Sequence, residues 1–189
     1  MRLYMEAFPR WERESEGALR RRLASGRYWM RAGIDRHGDV VGFVTLDIEP
    51  PLEFGLLTYL VVAESMRGQG LGTALTHEAI RLFRQETNCR WLLIEAEDRQ
   101  AELYGRIGFL KIDIGFDVPR IGDDGVVPMH LMVYPRDDAP SSMTAADLRR
   151  IIEWIYKSGY MLREDDPRVV RQLALIEDNV ALIRWPQTD

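Results

Sequence analysis

The stretch from Leu56 to Phe83 limits the architecture more than any other part of the chain. It opens on a β-forming, apolar run, Thr58-Tyr59-Leu60-Val61-Val62. A short polar link leads to Arg67-Gly68-Gln69-Gly70-Leu71-Gly72, and a helical run follows from Thr73. Glycine lacks a Cβ, so it accepts positive φ and lets backbone amides approach a guest closely. The helix behind the glycines offers unpaired N–H groups and the positive end of its dipole, which together suit an anion, above all a phosphate. Spacing then removes the two commonest phosphate loops. A G-x-G-x-x-G turn needs a third glycine where Thr73 or Leu75 stands, and a G-x-x-x-x-G-K-[ST] loop needs a lysine that does not follow here. What remains is Arg-x-x-Gly-x-Gly between an apolar strand and an amphipathic helix. The same residues also fit a plain strand-to-helix turn.

At 189 residues the chain has room for one domain with a real core and a small appendage. A hydrophobic content of 46% beside 29% charged residues is that of a globular protein rather than a disordered one. The net charge of -5 argues against nonspecific nucleic-acid binding and suits a cationic substrate. Cys89 is the one cysteine, so an internal disulfide is excluded and a reducing compartment is expected. Met1 to Glu6 does not read as a signal peptide and no apolar run reaches a membrane span, so a soluble, cytoplasmic protein is the expectation.

Trp11, Leu19 and Leu23 form an apolar stripe within the charged segment that begins at Arg10, as in a surface helix or a lid over a substrate. Tyr28 to Ile34 and Val40 to Ile48 read as strands joined by a hairpin turn at Asp35-Arg36-His37-Gly38-Asp39, with His37 solvated at its tip. Pro50 and Pro51 end the second strand, and Leu56 to Val62 is the third of this meander. In the helix after the glycines, Leu71, Leu75, Ala79 and Leu82 share one face. His77-Glu78 is not followed by the second histidine of H-E-x-x-H, so no zinc site of that kind and no metal is expected. Trp91-Leu92-Leu93-Ile94 is a buried strand ending in Glu95.

Next comes Ala101-Glu102-Leu103-Tyr104-Gly105-Arg106-Ile107-Gly108-Phe109, a helix stopped by Gly108. This A-x-x-x-Y-x-x-x-G-F helix, together with Arg67–Gly72 behind its strand, resembles the GNAT superfamily of N-acetyltransferases. The resemblance implies an α/β (α+β) fold in which helices flank a mixed, mostly antiparallel sheet splayed between its fourth and fifth strands. It also implies acetyl-CoA as the donor. Leu110 to Val118 and Met129 to Tyr134 would be the closing strands, so that residues 1–135 form the acetyltransferase domain. In residues 136–189, Leu148, Ile151, Ile152 and Ile155 mark one helix. Val169, Val170, Leu173, Ile176 and Val180 mark a second, starting near Pro167. This helical hairpin either packs on its own domain or serves as a dimerisation arm or cover, and a homodimer is left open. The family normally begins with a strand before the Trp11 helix. Only a few residues are available for it here.

The resemblance places coenzyme A along the backbone of Leu60, Val61 and Val62 and in the loop Arg67, Gly68, Gln69, Gly70, Leu71, Gly72 and Thr73, with Leu60 N–H as oxyanion donor. Tyr104 takes the general-acid position: a phenol with pKa near 10 is protonated at neutral pH and can hand a proton to a thiolate. The strand carboxylate that serves some members as base falls on apolar Leu56. Glu95, acting through water, and Glu49, beside the Pro-Pro break, are the remaining candidates. The expected reaction is acetyl transfer to a small-molecule primary amine by direct attack on the thioester. A protein N-terminus or lysine as acceptor, or a non-catalytic acyl-CoA-binding module, are the alternatives.

Overall fold

In a computed structural model, residues 1–137 and 140–186 are described, and they divide into two compact units, Met1–Leu92 and Leu93–Asp189. The segment from Pro135 to Ser142 reads as a linker by composition, and its residues 138 and 139 lie outside the described residues.

The first unit is built on an antiparallel meander of β1 (Tyr28–Ile34), β2 (Val40–Glu49) and β3 (Phe54–Val62). Its hairpin turn closes as its residues dictate: Asp35 Oδ1 accepts from the amides of His37 and Asp39, and Gly38 takes positive φ. The N-terminal residues that the resemblance reserved for a strand form helix α1 (Arg2–Ala7) instead, and Tyr4 is driven into the core. Helix α2 (Glu16–Ala24) starts later than the charge pattern implied, because Ser15 caps it by accepting from Ala18 N. That leaves Trp11 in the preceding turn. Tyr4, Leu19, Tyr28, Phe43, Tyr59 and Val61 make one continuous cluster, in which Tyr4 meets Tyr59 edge-on at 4.9 Å. Helix α3 (Leu71–Glu86) buries Leu75, Ala79, Leu82 and Phe83.

In the second unit the strand order is β4 (Trp91–Ala96), β7 (Val126–Pro135), β5 (Leu110–Ile112), β9 (Asn179–Arg184), β8 (Ser142–Thr144), with β6 (Phe116–Pro119) paired to β7. Strand β4 (Trp91–Ala96) crosses the boundary into it and leads to helix α4 (Asp98–Ile107). Gly108, at φ 112, caps α4, and the next amide, that of Phe109, donates back to the Tyr104 carbonyl. Gly105 is obligatory: a Cβ there would collide with the Trp185 backbone carbonyl. The expected single strand from Leu110 to Val118 is two strands, β5 (Leu110–Ile112) and β6 (Phe116–Pro119), broken at a tight turn where Ile114 N donates to Ile112 O. β6 forms a hairpin with β7 (Val126–Pro135).

The C-terminal segment contributes strands as well as helices. After β8 (Ser142–Thr144), helix α5 (Ala145–Trp154) buries Leu148, Ile151 and Ile152 on the face read from sequence. A π-helical turn, Ile155–Gly159, follows it. Helix α6 (Pro167–Ala174) ends before Ile176, and Val180 belongs to β9 (Asn179–Arg184), which corrects the longer second helix. Val170, placed on the apolar stripe, is exposed, while polar Gln172 is buried. The Gln172 amide spans Gly115 and Asp117: Nε2 donates to Gly115 O at 2.8 Å and Oε1 accepts from Asp117 N at 3.0 Å. β9 pairs antiparallel with both β5 and β8. Among the described residues no helix is long and apolar enough to cross a membrane.

Candidate active site

Strand β3 carries a bulge. Thr45 of β2 pairs with Tyr59 and Leu46 with Leu57, so Thr58 is the extra residue. Three hydroxyls hold it: Thr58 Oγ1 lies 2.6 Å from Tyr28 Oη and 2.8 Å from Thr45 Oγ1, while Thr45 Oγ1 accepts from the Tyr59 amide at 3.0 Å. Beyond the bulge Ala63 N donates to Val41 O. Antiparallel pairing alternates, so the Val61 amide faces β2 and those of Leu60 and Val62 turn to the opposite edge of β3. Two adjacent donors of one strand are thereby aimed away from their own hairpin.

The strand leads through a single 3-10 turn, Glu64–Met66, into the glycine loop. Gly68 and Gly70 adopt φ 75 and 82, values that favour glycine, and a Cβ at either would meet nothing within 4 Å. Gly70 is the N-cap of α3, which has no side-chain cap and no acidic residue in its first turn. The amides of Leu71, Gly72 and Thr73 head this helix, exposed Arg67 precedes it, and Gln69 Nε2 donates to Ser65 O across the loop. A positive helix end with open space before its glycines fits a pyrophosphate.

The bulge brings Leu56 opposite Asp47, so both side chains share one sheet face. The carboxylate missing at Leu56 is present one strand away, but in other company. Asp47 pairs with Arg22 at 2.5 Å, and Arg22 also pairs with Glu14 at 2.7 Å and lies over the Tyr28 ring. Burial raises the Asp47 pKa, partly opposed by Arg22. Glu49, a sequence candidate for the base, is buried and bonded to Arg27 at 2.8 Å.

In the second unit Tyr104 is buried on α4, its ring 5.5 Å from Phe109, and burial pushes its hydroxyl pKa upward. The phenol therefore holds its proton throughout the physiological range. Glu95, half-buried at the end of β4, accepts from the Tyr160 hydroxyl at 2.7 Å. Tyr160, the Thr45–Thr58–Tyr28 trio and Arg22 carry no motif. Polar residues inside the strands, Thr45, Asp47 and Thr58, were the sole sequence sign of the bulge cluster.

The chain belongs to the GNAT acetyltransferase family, whose family model, "Acetyltransferase (GNAT) family", matches residues 1–109. It is accordingly an N-acetyltransferase, and members of the family generally draw on acetyl-CoA. No curated protein matches the sequence. Among solved structures, a protein assigned to the same family from Bacteroides thetaiotaomicron aligns with TM-score 0.69 at 22% identity, covering 86% of this chain and 90% of that one. Spermidine N-acetyltransferase from Vibrio cholerae aligns at 0.57 and 15% identity over 71% of this chain and 85% of its own. The ribosomal-protein-S18-alanine N-acetyltransferase from Escherichia coli aligns at 0.53 and 22% identity over 72% and 84%. At such identities the likeness is one of fold.

Proposed function

We propose that the chain acetylates the primary amine of a small molecule with acetyl-CoA, by direct attack of the amine on the thioester. The observation that carries the donor side is the uncapped N-terminus of α3, with Gly68 and Gly70 at positive φ and facing open space. When bound, acetyl-CoA supplies a thioester open to attack by an amine. The amides of Gly70 to Thr73 and the Arg67 guanidinium hold its pyrophosphate, and the β3 backbone at Leu60–Val62 lines its arm. The Leu60 N–H donates to the carbonyl oxygen as negative charge grows there. Tyr104 keeps a proton on its phenol oxygen for the departing sulfur, and Glu95 takes up the amine's proton through water. The acidic balance of the chain favours a cationic acceptor. Residues 1–135 would be the catalytic domain and 136–189 an appended segment.

Thiol release from acetyl-CoA, measured over a panel of small amines and of peptides with free N-termini or lysines, tests this reading. Turnover is expected with one or more small amines, and Tyr104→Phe should lower kcat by about 10²-fold with an unchanged melting temperature. Turnover confined to peptides would move the acceptor to proteins. Binding of acetyl-CoA with no turnover of any amine would overturn catalysis.

A further inference from the structure

The C-terminal segment lies beyond the family-matched residues 1–109, yet it reaches the carboxylate at the end of β4. The reach depends on the π-helical turn at Ile155–Gly159. There Tyr160 N donates to Ile155 O, five residues back, so one residue more than in an α-turn fits into the coil. That extra residue swings the following side chain by about 100° from where an α-helix would put it. Single π-turns of this sort recur at functional sites.

The turn is firmly anchored. Ile155 and Tyr156 are fully buried, and the Tyr156 hydroxyl donates to the Asp117 carbonyl and, at 3.2 Å, to Gln172 Oε1. The Tyr156 and Tyr160 rings meet edge-on at 83° and 6.2 Å, and Leu162 N returns to Tyr156 O. Backbone and ring of Tyr160 are thus pinned on both sides, and its hydroxyl ends 2.7 Å from Glu95 Oε2, the length of a strong O–H···O⁻ bond. We infer that Tyr160 is the positioning residue for Glu95, orienting its carboxylate and favouring its ionised form for proton uptake from the acceptor amine. The inference rests on the reading of Glu95 as proton acceptor.

Tyr156 on the same π-turn feels the charge of this carboxylate; Glu97 and Asp98 follow Glu95 in the chain, and Asp98 is paired with His130 of β7 at 2.7 Å. A hydroxyl that donates to the charged form lowers a carboxylate's pKa, so its removal raises it. In Tyr160→Phe the acid limb of the kcat/KM profile should move up by about one pH unit, a loss of about tenfold on that limb, with KM for acetyl-CoA unchanged. With 3-fluorotyrosine at position 160, a stronger donor, the limb should move down. A merely structural tyrosine would shift neither. Tyr160→Phe and 3-fluorotyrosine profiles that overlie the wild type, while Glu95→Gln loses turnover, would overturn the positioning role and leave Glu95 in place. Full turnover in Glu95→Gln would instead remove the reading on which it rests.

Discussion

Arg22 answers two carboxylates at once, half-buried Glu14 and buried Asp47, from over the Tyr28 ring. Truncating this half-buried cation leaves its partners charged, poorly solvated and near each other, which costs up to about 3–5 kcal/mol, the cost of breaking a fully buried pair. Arg22→Ala should therefore unfold at a markedly lower temperature at pH 7. The sign of its pH dependence follows from Asp47, whose pKa already lies above the ordinary 3.8 through burial and loses its main lowering influence with Arg22. A carboxylate with a raised folded pKa stabilises below its unfolded value, and that share is lost as pH rises through the folded one. Melting of Arg22→Ala followed from pH 7 to pH 5 should consequently recover relative to wild type. A constant gap between the two proteins would contradict this account of the cluster.

Helix α6 depends on its first residues. Asp166 caps it by accepting from Arg168 N, and takes two further bonds from the Arg168 guanidinium. These bonds hold its carboxyl at about 2, below the ordinary 3.8, so the stabilisation is present above 3.8 and disappears as pH falls toward 2. Asp166→Ala should cost about 1 kcal/mol by chemical denaturation at pH 7, and the difference from wild type should shrink at pH 2. The start of this helix was legible in Pro167, but its end was not. Val169, Leu173, Ile176 and Val180 keep a helical period across Asp178-Asn179, where the chain becomes a strand that buries Val180 and Leu182 alternately. Short apolar runs support both periods, and the long-range pairing with β5 decides between them. The glycine loop, α3 and the buried face of α5 could be read because their signals are local. The bulge at Thr58 and the Tyr160–Glu95 bond join residues far apart in sequence, and no local pattern announces either.

At the scale of the molecule, the segment beyond the family-matched residues is part of a sheet. β9 occupies one edge of β5 and carries β8 on its other side. Deleting residues 179–186 would strip β8 of its partner and β5 of one of its two, and expose unpaired strand edges, which recruit other chains. The shortened protein should lose its cooperative melting transition and elute as aggregate in gel filtration. A monomer with wild-type melting would show that β9 is dispensable. The same pairing orders events during synthesis. Leu110–Ile112 leave the ribosome well before Asn179–Arg184, so one edge of β5 stays open while the intervening chain is made. At about 5–20 residues per second that interval is on the order of several seconds. A nascent chain halted within it carries a complete glycine loop and an unfinished second unit.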